Sequence, residues 1–213
     1  MALTGFDPQI VTQSINSVKS SYDNLIKALG DDMQQQFIGG MADKWACTQA
    51  QTFFNTAFKP AVDQLISNSN KIFESVVSAM NSAAQAWASA TDSSFSPSPF
   101  SGISKTMDTS VIQENIGGVR GIDLNEALTV AGKLSTIVES AKSALSSAQS
   151  AVDQCGFMGG DQASNLINSL ATIKNKIDDA AQSIATETKT AIDTTVQNYS
   201  NTEGKVSEAF AAN

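Results

Sequence analysis

The sequence predicts an all-α protein: an elongated four-helix bundle made of two tandem helical hairpins, packed antiparallel and joined by a long linker. Three observations lead there. Apolar residues recur at steps of three and four along four long stretches. Hydrophobic residues make up 41% of the chain but aromatics only 7%, with much of the rest alanine, a mix that suits slim helical seams better than a β-sandwich. The chain also matches itself at an offset of 112 residues.

The first predicted helix runs from about Pro8 to Phe37, with Ile10, Val11, Ile15, Val18, Tyr22, Leu25, Ile26, Leu29, Met33 and Phe37 on one face. Asp7 before Pro8 supplies an N-cap and a proline at the first helical position. Gly39-Gly40 is expected to stop this helix. The second runs from about Thr48 to Ala90 on Phe54, Phe58, Ala61, Leu65, Ile72, Val76, Met80, Ala84 and Trp87. Pro60 lies inside it and costs about 3 kcal/mol in a straight helix, so a bend or restart is expected near residues 56–60.

Between residues 91 and 123 the period vanishes into Ser-Pro pairs and glycines, the composition of a linker. Asp123 to Gln154 is helical again, on a stripe that includes Leu124, Leu128, Leu134, Ile137, Ala141, Leu145 and Val152. "CGFMGG" breaks it, and a fourth helix follows from about Asp161 to Glu208. The expected organisation is a first hairpin over residues 1–91, a linker over 92–122 and a second hairpin over 123–213.

Sliding the chain by 112 residues sets Trp45 on Phe157, Phe54 on Leu166, Phe58 on Leu170, Ala61 on Ile173, Leu65 on Ile177, Ile72 on Ile184, Met80 on Ile192, Ala84 on Val196 and Trp87 on Tyr199. Val76 falls on Thr188, the one miss in the stripe. Each hairpin alone would expose its stripe; two can hide both against each other. Helices of about 40 residues reach roughly 60 Å, giving a rod. A 31-residue linker at about 3.3 Å per residue spans roughly 100 Å. That length favours the antiparallel arrangement, which needs a rod-long connection, although it permits the parallel one.

Composition narrows function. The net charge of −8 repels phosphate backbones and anionic bilayers, so neither nucleic acid nor a membrane surface is expected as partner. No apolar stretch is long enough to span a membrane, and "MALTGFDPQI" lacks the basic and apolar regions of a signal peptide. There is no histidine, which removes the commonest general base, the Ser-His and Cys-His dyads and most zinc sites. No cofactor, metal or catalytic site is expected. Asp31-Asp32 and Asp178-Asp179 are adjacent on helices and point about 100° apart, so neither makes a converging pair. "GFMGGDQ" lacks the Lys and Ser/Thr of a phosphate loop. Cys47 and Cys155 read as two small semi-buried thiols or as a disulfide.

Two hairpins of about 100 residues with an aromatic-x-small element at each turn resemble the WXG family, the Trp-x-Gly helical hairpins similar to the early secreted antigenic targets of type VII secretion. The element stands here as Trp45-Ala46-Cys47 and Phe157-Met158-Gly159. The first has cysteine where the family has glycine, and the second has phenylalanine where it has tryptophan. The family's Tyr-x-x-x-Asp/Glu export signal is matched by Tyr199 and Glu203, while Trp87 to Thr91 in the first half lacks both tyrosine and acid. The chain thus resembles a fused heterodimer in which one half supplies the signal.

This resemblance implies a non-enzymatic protein, secreted without a cleavable signal peptide from a Gram-positive bacterium. It would be the substrate of a secretion-system ATPase or the escort of a co-secreted effector, and a monomer as a fused pair. It also implies that Tyr199 and Glu203 sit near Trp45. Read from spacing alone, Tyr199 and Glu203 share a helix face and could equally be the last core aromatic and a solvated charge. Trp45 could cap the core with one edge and offer the other. A structural or scaffolding helical rod, as in a phage or surface layer, is the rival reading, since long Ala/Ser/Thr/Gln-rich helices suit it as well.

Overall fold

The computed structural model describes residues 7–155 and 160–211, apart from the side chains at 160–163, 203 and 208–211. The described chain is mostly helical, in four long runs. The first comprises α1 (Pro8–Ile26), a wider-wound π segment (Lys27–Ile38) and α2 (Gly39–Met41); the second comprises α3 (Thr48–Thr52), a second π segment (Phe53–Phe58) and α4 (Lys59–Ala90). The others are α5 (Leu124–Asp153) and α6 (Gly160–Ala211). Two short strands, β1 (Trp45–Ala46) and β2 (Gly121–Ile122), pair antiparallel.

The helix starts follow the sequence. The Asp7 carboxylate accepts from the amides of Gln9 and Ile10 at 2.8 and 3.2 Å, with Pro8 opening α1. Asp123 does the same for α5, accepting from Glu126 N at 3.1 Å.

Gly39-Gly40 does not stop the first helix, which continues to Met41. The glycine serves packing instead. A Cβ on Gly40 would come within 2.9 Å of Val130 Cγ1, so α5 approaches the helix more closely than a side chain would allow.

Near Pro60, where a bend or restart is expected, the second helix changes its winding between Phe58 and Lys59. The proline ring would crowd the carbonyl of Thr56 in a regular α-helix. The preceding turn opens to i→i+5 bonding over Phe53–Phe58, with Lys59 N donating to Phe54 O, and the winding carries on. Over Lys27–Ile38 the same wide winding gives a five-residue spacing of buried residues, Ala28, Met33 and Ile38. That is why Ile38 joins the core although it falls outside a three-four stripe. Ile10, Leu124 and Leu128, placed on the stripes by spacing, are exposed.

The described residues form two compact units, each drawing on several parts of the chain. The first gathers Met1–Leu29, Gln64–Lys105 and Val138–Asp178. Its core includes Ile15, Val18, Leu25, Phe73, Val76, Leu145 and Leu170. Tyr22 lies edge-on to Phe100 at 4.7 Å and tilted to Phe73 at 5.3 Å. Lys142 bridges to Asp178 at 3.0 Å, tying α5 to α6.

The second unit gathers Gly30–Asp63, Thr106–Ile137 and Asp179–Asn213. Phe37, from the first π segment, meets Phe54 and Phe58 of the second at 5.5 and 4.9 Å. Thr188, the miss in the repeat, is 1% exposed, and its hydroxyl donates to Ile184 O at 2.6 Å. A core position in a helix accepts threonine because the preceding turn satisfies the hydroxyl.

The segment between α4 and α5 has no helix, but it is held. In the first unit Asn81 grips the Ser98 backbone by both N–H and C=O, at 3.0 and 2.9 Å. Asn70 donates to Ile103 O at 3.0 Å, while Ile103 N donates to the Tyr22 hydroxyl, which in turn donates to Asn70 Oδ1. In the second unit the Asp63 carboxylate accepts from Met107 N at 2.7 Å and Lys59 Nζ donates to Met107 O. Gln34 grips Asp108 on both backbone groups, and Gln51 donates to Ile112 O.

The lengths match in the first unit. Asn81 to Asn70 is a helical rise of about 16 Å, and Ser98 to Ile103 extended covers about 16 Å. In the second unit the segment turns at its end, with Ile112 N donating to Thr109 O at 3.0 Å. An extended strand laid along a helix has no backbone partner there, so amide and carboxylate side chains supply the bonds its buried groups need.

Candidate functional site

The Trp45 turn is built by three constraints. The β1 strand pairs with β2 in the register Trp45↔Ile122 and Ala46↔Gly121, and Asp123 N donates to Lys44 O at 2.7 Å. Cys47 then adopts an extended backbone, φ −167°, as the residue before α3. Any residue takes that conformation, so nothing here requires the glycine that the Trp-x-Gly pattern carries.

Trp45 is fully buried, so it offers no edge to a partner. It stacks on Phe53 at 5.9 Å and meets Phe54 edge-on at 6.2 Å. Its indole N–H donates to Thr195 Oγ1 of α6 at 3.3 Å. The Thr195 hydroxyl donates its own hydrogen to Ala191 O at 2.8 Å, leaving lone pairs for the indole. The Cys47 thiol lies 4.0 Å from the same oxygen. With the threonine hydrogen already used, the thiol is the donor there.

Tyr199 lies one helical turn beyond Thr195 and is half-buried. Burial raises its phenol above the ordinary tyrosine range; the nearby Cys47 thiol adds to this and Arg120 opposes it. The structure therefore brings Tyr199 beside Cys47 and Thr195 at the Trp45 turn. Glu203 belongs to α6, its side chain outside the described ones. Phe157 and Gly159 lie outside the described residues.

Both thiols are free and buried, and burial pushes the Cys155 thiol up while Ser14 beside it pulls the other way. A shallow apolar groove of about 420 Å³ lies against this site, with Thr52 and Phe53 on one wall and Glu187, Ala191 and Thr194 on the other. Among the described residues no group of three or more Cys, Asp and Glu is placed to hold a metal ion, and no helix is long and apolar enough to cross a membrane.

Thr195 and Arg120 were missed by sequence reasoning. Thr188, Ile192, Thr195 and Tyr199 continue a four-three-four spacing, so counting threonine as a possible core residue would have found Thr195. Arg120 sits in an aperiodic segment and gave no local signal. No family model, curated protein or solved structure matches the chain.

Proposed function

We propose that the chain is a non-enzymatic protein of a type VII secretion system, a single-chain counterpart of a WXG heterodimer. It acts as a secretion substrate or as the escort of a co-secreted effector, and the secretion ATPase is its first partner. Recognition uses Tyr199 and Glu203, presented on α6 over the turn that Trp45 anchors. It leaves the cell through that system.

The observation that carries this reading is the hydrogen bond from Trp45 to Thr195, one helical turn before Tyr199. It supports reading the Trp45 turn and Tyr199 as one composite, the juxtaposition that the family resemblance implies. Trp45 acts as an internal anchor and fixes the helix surface from which Tyr199 projects.

The same contact supports an antiparallel pair of hairpins forming a four-helix bundle, since the turn of the first hairpin meets the end of the second. Cys155, near the turn of the second hairpin, beside Ser14, near the start of the first, supports it independently. In this reading the first hairpin spans residues 1–91, the strapped segment 92–122 is the connection, and the second hairpin spans 123–213.

Export from a host that carries such a system tests the proposal. Replacing Tyr199 by Ala, or Glu203 by Gln, is expected to abolish export while the chain stays folded with wild-type helicity. Export of both variants at the wild-type level would refute it.

A further inference from the structure

We propose that the open cleft beside the Ile116–Val119 turn is the docking site for a cationic amphipathic segment of a partner protein. The cleft holds about 670 Å³ and is lined by Ile116, Val119, Ile122 and Leu124, with Asp43, Lys44 and Asp123 at its rim.

The apolar side chains are held outward on a fixed turn. Ile116 and Val119 bond to each other through both backbone pairs, at 2.8 and 3.0 Å. Gly117 and Gly118 between them have φ of +58° and +86°, the left-handed geometry of a tight two-residue hairpin. Asn115 Oδ1 accepts from Gly118 N at 3.1 Å and locks the turn further. Val119 is nevertheless 70% exposed, Ile116 43% and Leu124 38%. Large aliphatic groups clustered in the open on a preorganised turn lose little freedom when a partner covers them.

Charge selects the partner. Lys44 pairs with Asp43 at 3.2 Å, and the carboxylates of Asp123 and Glu126 also act on its ammonium. Two carboxylates, Asp43 and Asp123, therefore flank one ammonium at the rim, with Glu126 near enough to act on it. Arg120 and Glu114, 3.3 Å apart, balance each other. The chain as a whole carries −8, so a second copy is repelled. Nucleic acid and anionic bilayers are repelled for the same reason. A segment with an apolar face for the aliphatic wall and Lys or Arg for the acidic rim complements both features.

This inference stands apart from the export reading: it uses no part of Tyr199 or Glu203, and export can fail while it holds. Two synthetic helical peptides with the same leucine pattern, one with a Lys polar face and one with a Glu polar face, are titrated into the isotope-labelled full chain. The Lys peptide is expected to bind, to shift amides around residues 43–46 and 116–126, and to weaken as salt is raised. Val119→Ser is expected to weaken binding by about tenfold or more, on the scale where tenfold is 1.4 kcal/mol. Glu126→Lys, an exposed charge reversal that leaves the apolar wall intact, should weaken it as well. Equal binding of both peptides, shifts elsewhere, no binding, or indifference to both substitutions would overturn the proposal. Self-association of the chain that Val119→Ser abolishes would assign the cleft to a second copy and overturn it too.

Discussion

The indole nitrogen of Trp45 donates to the hydroxyl of Thr195 at 3.3 Å, joining residues 150 positions apart in a fully buried site. The oxygen it uses is already a donor to its own helix, so the bond is accepted without leaving any group unpaired. Thr195→Val keeps the shape and removes the acceptor. A buried N–H left without a partner costs about 1–3 kcal/mol, and denaturant unfolding should show that loss. An unchanged midpoint would mean that the indole finds another acceptor.

Gly40 sits where Val130 leaves no room for a Cβ. Valine is stiff about its first side-chain bond, so Gly40→Ala should cost stability although alanine is the better helix former by about 1 kcal/mol. In a Val130→Ala background the clash disappears, and the same Gly40→Ala substitution should then stabilise. A double-mutant cycle in thermal unfolding checks this reversal of sign.

The connection between α4 and α5 should behave as ordered chain. The amides of Ser98, Ile103, Met107 and Asp108 all donate to side chains. They are expected to exchange slowly with solvent, unlike amides in a free linker. Asn81→Leu removes both bonds to Ser98. It should cost about 1–3 kcal/mol and speed exchange at that residue, with little change at Met107.

Tyr22 carries a pH signature. Burial raises its phenol above the ordinary tyrosine value of 10.0, and the Ile103 amide opposes this in part. A raised acid is favoured in its protonated form by folding, so its contribution is complete below pH 10. It is lost as pH climbs through the folded value. Stability should therefore fall with rising pH in the alkaline range, and Tyr22→Phe should flatten that fall while lowering stability at neutral pH.

The four helical runs were legible because their apolar stripes are long and their caps, Asp7 and Asp123, are local signals. Three features were not. The role of Gly40 depends on Val130, ninety residues away. The π winding at Phe53–Phe58 answers Pro60 in a way that composition does not reveal, since a kink would have answered it as well. The docked connection uses Asn, Gln, Asp and Lys, residues that read as ordinary helix surface until an extended strand is laid across them. At the candidate site, Trp45 and Tyr199 were legible from motif and repeat. Thr195, which joins the turn to the last helix, was hidden by the habit of counting only apolar residues as core.

Binding to the secretion ATPase tests the central claim most directly. The purified chain is titrated with the soluble domain of an FtsK-type ATPase from a type VII system, wild type against Tyr199→Ala. The account predicts at least about a tenfold loss of affinity, equal to 1.4 kcal/mol, with both chains cooperatively folded at the temperature of the titration. Equal affinity of the two chains would contradict it.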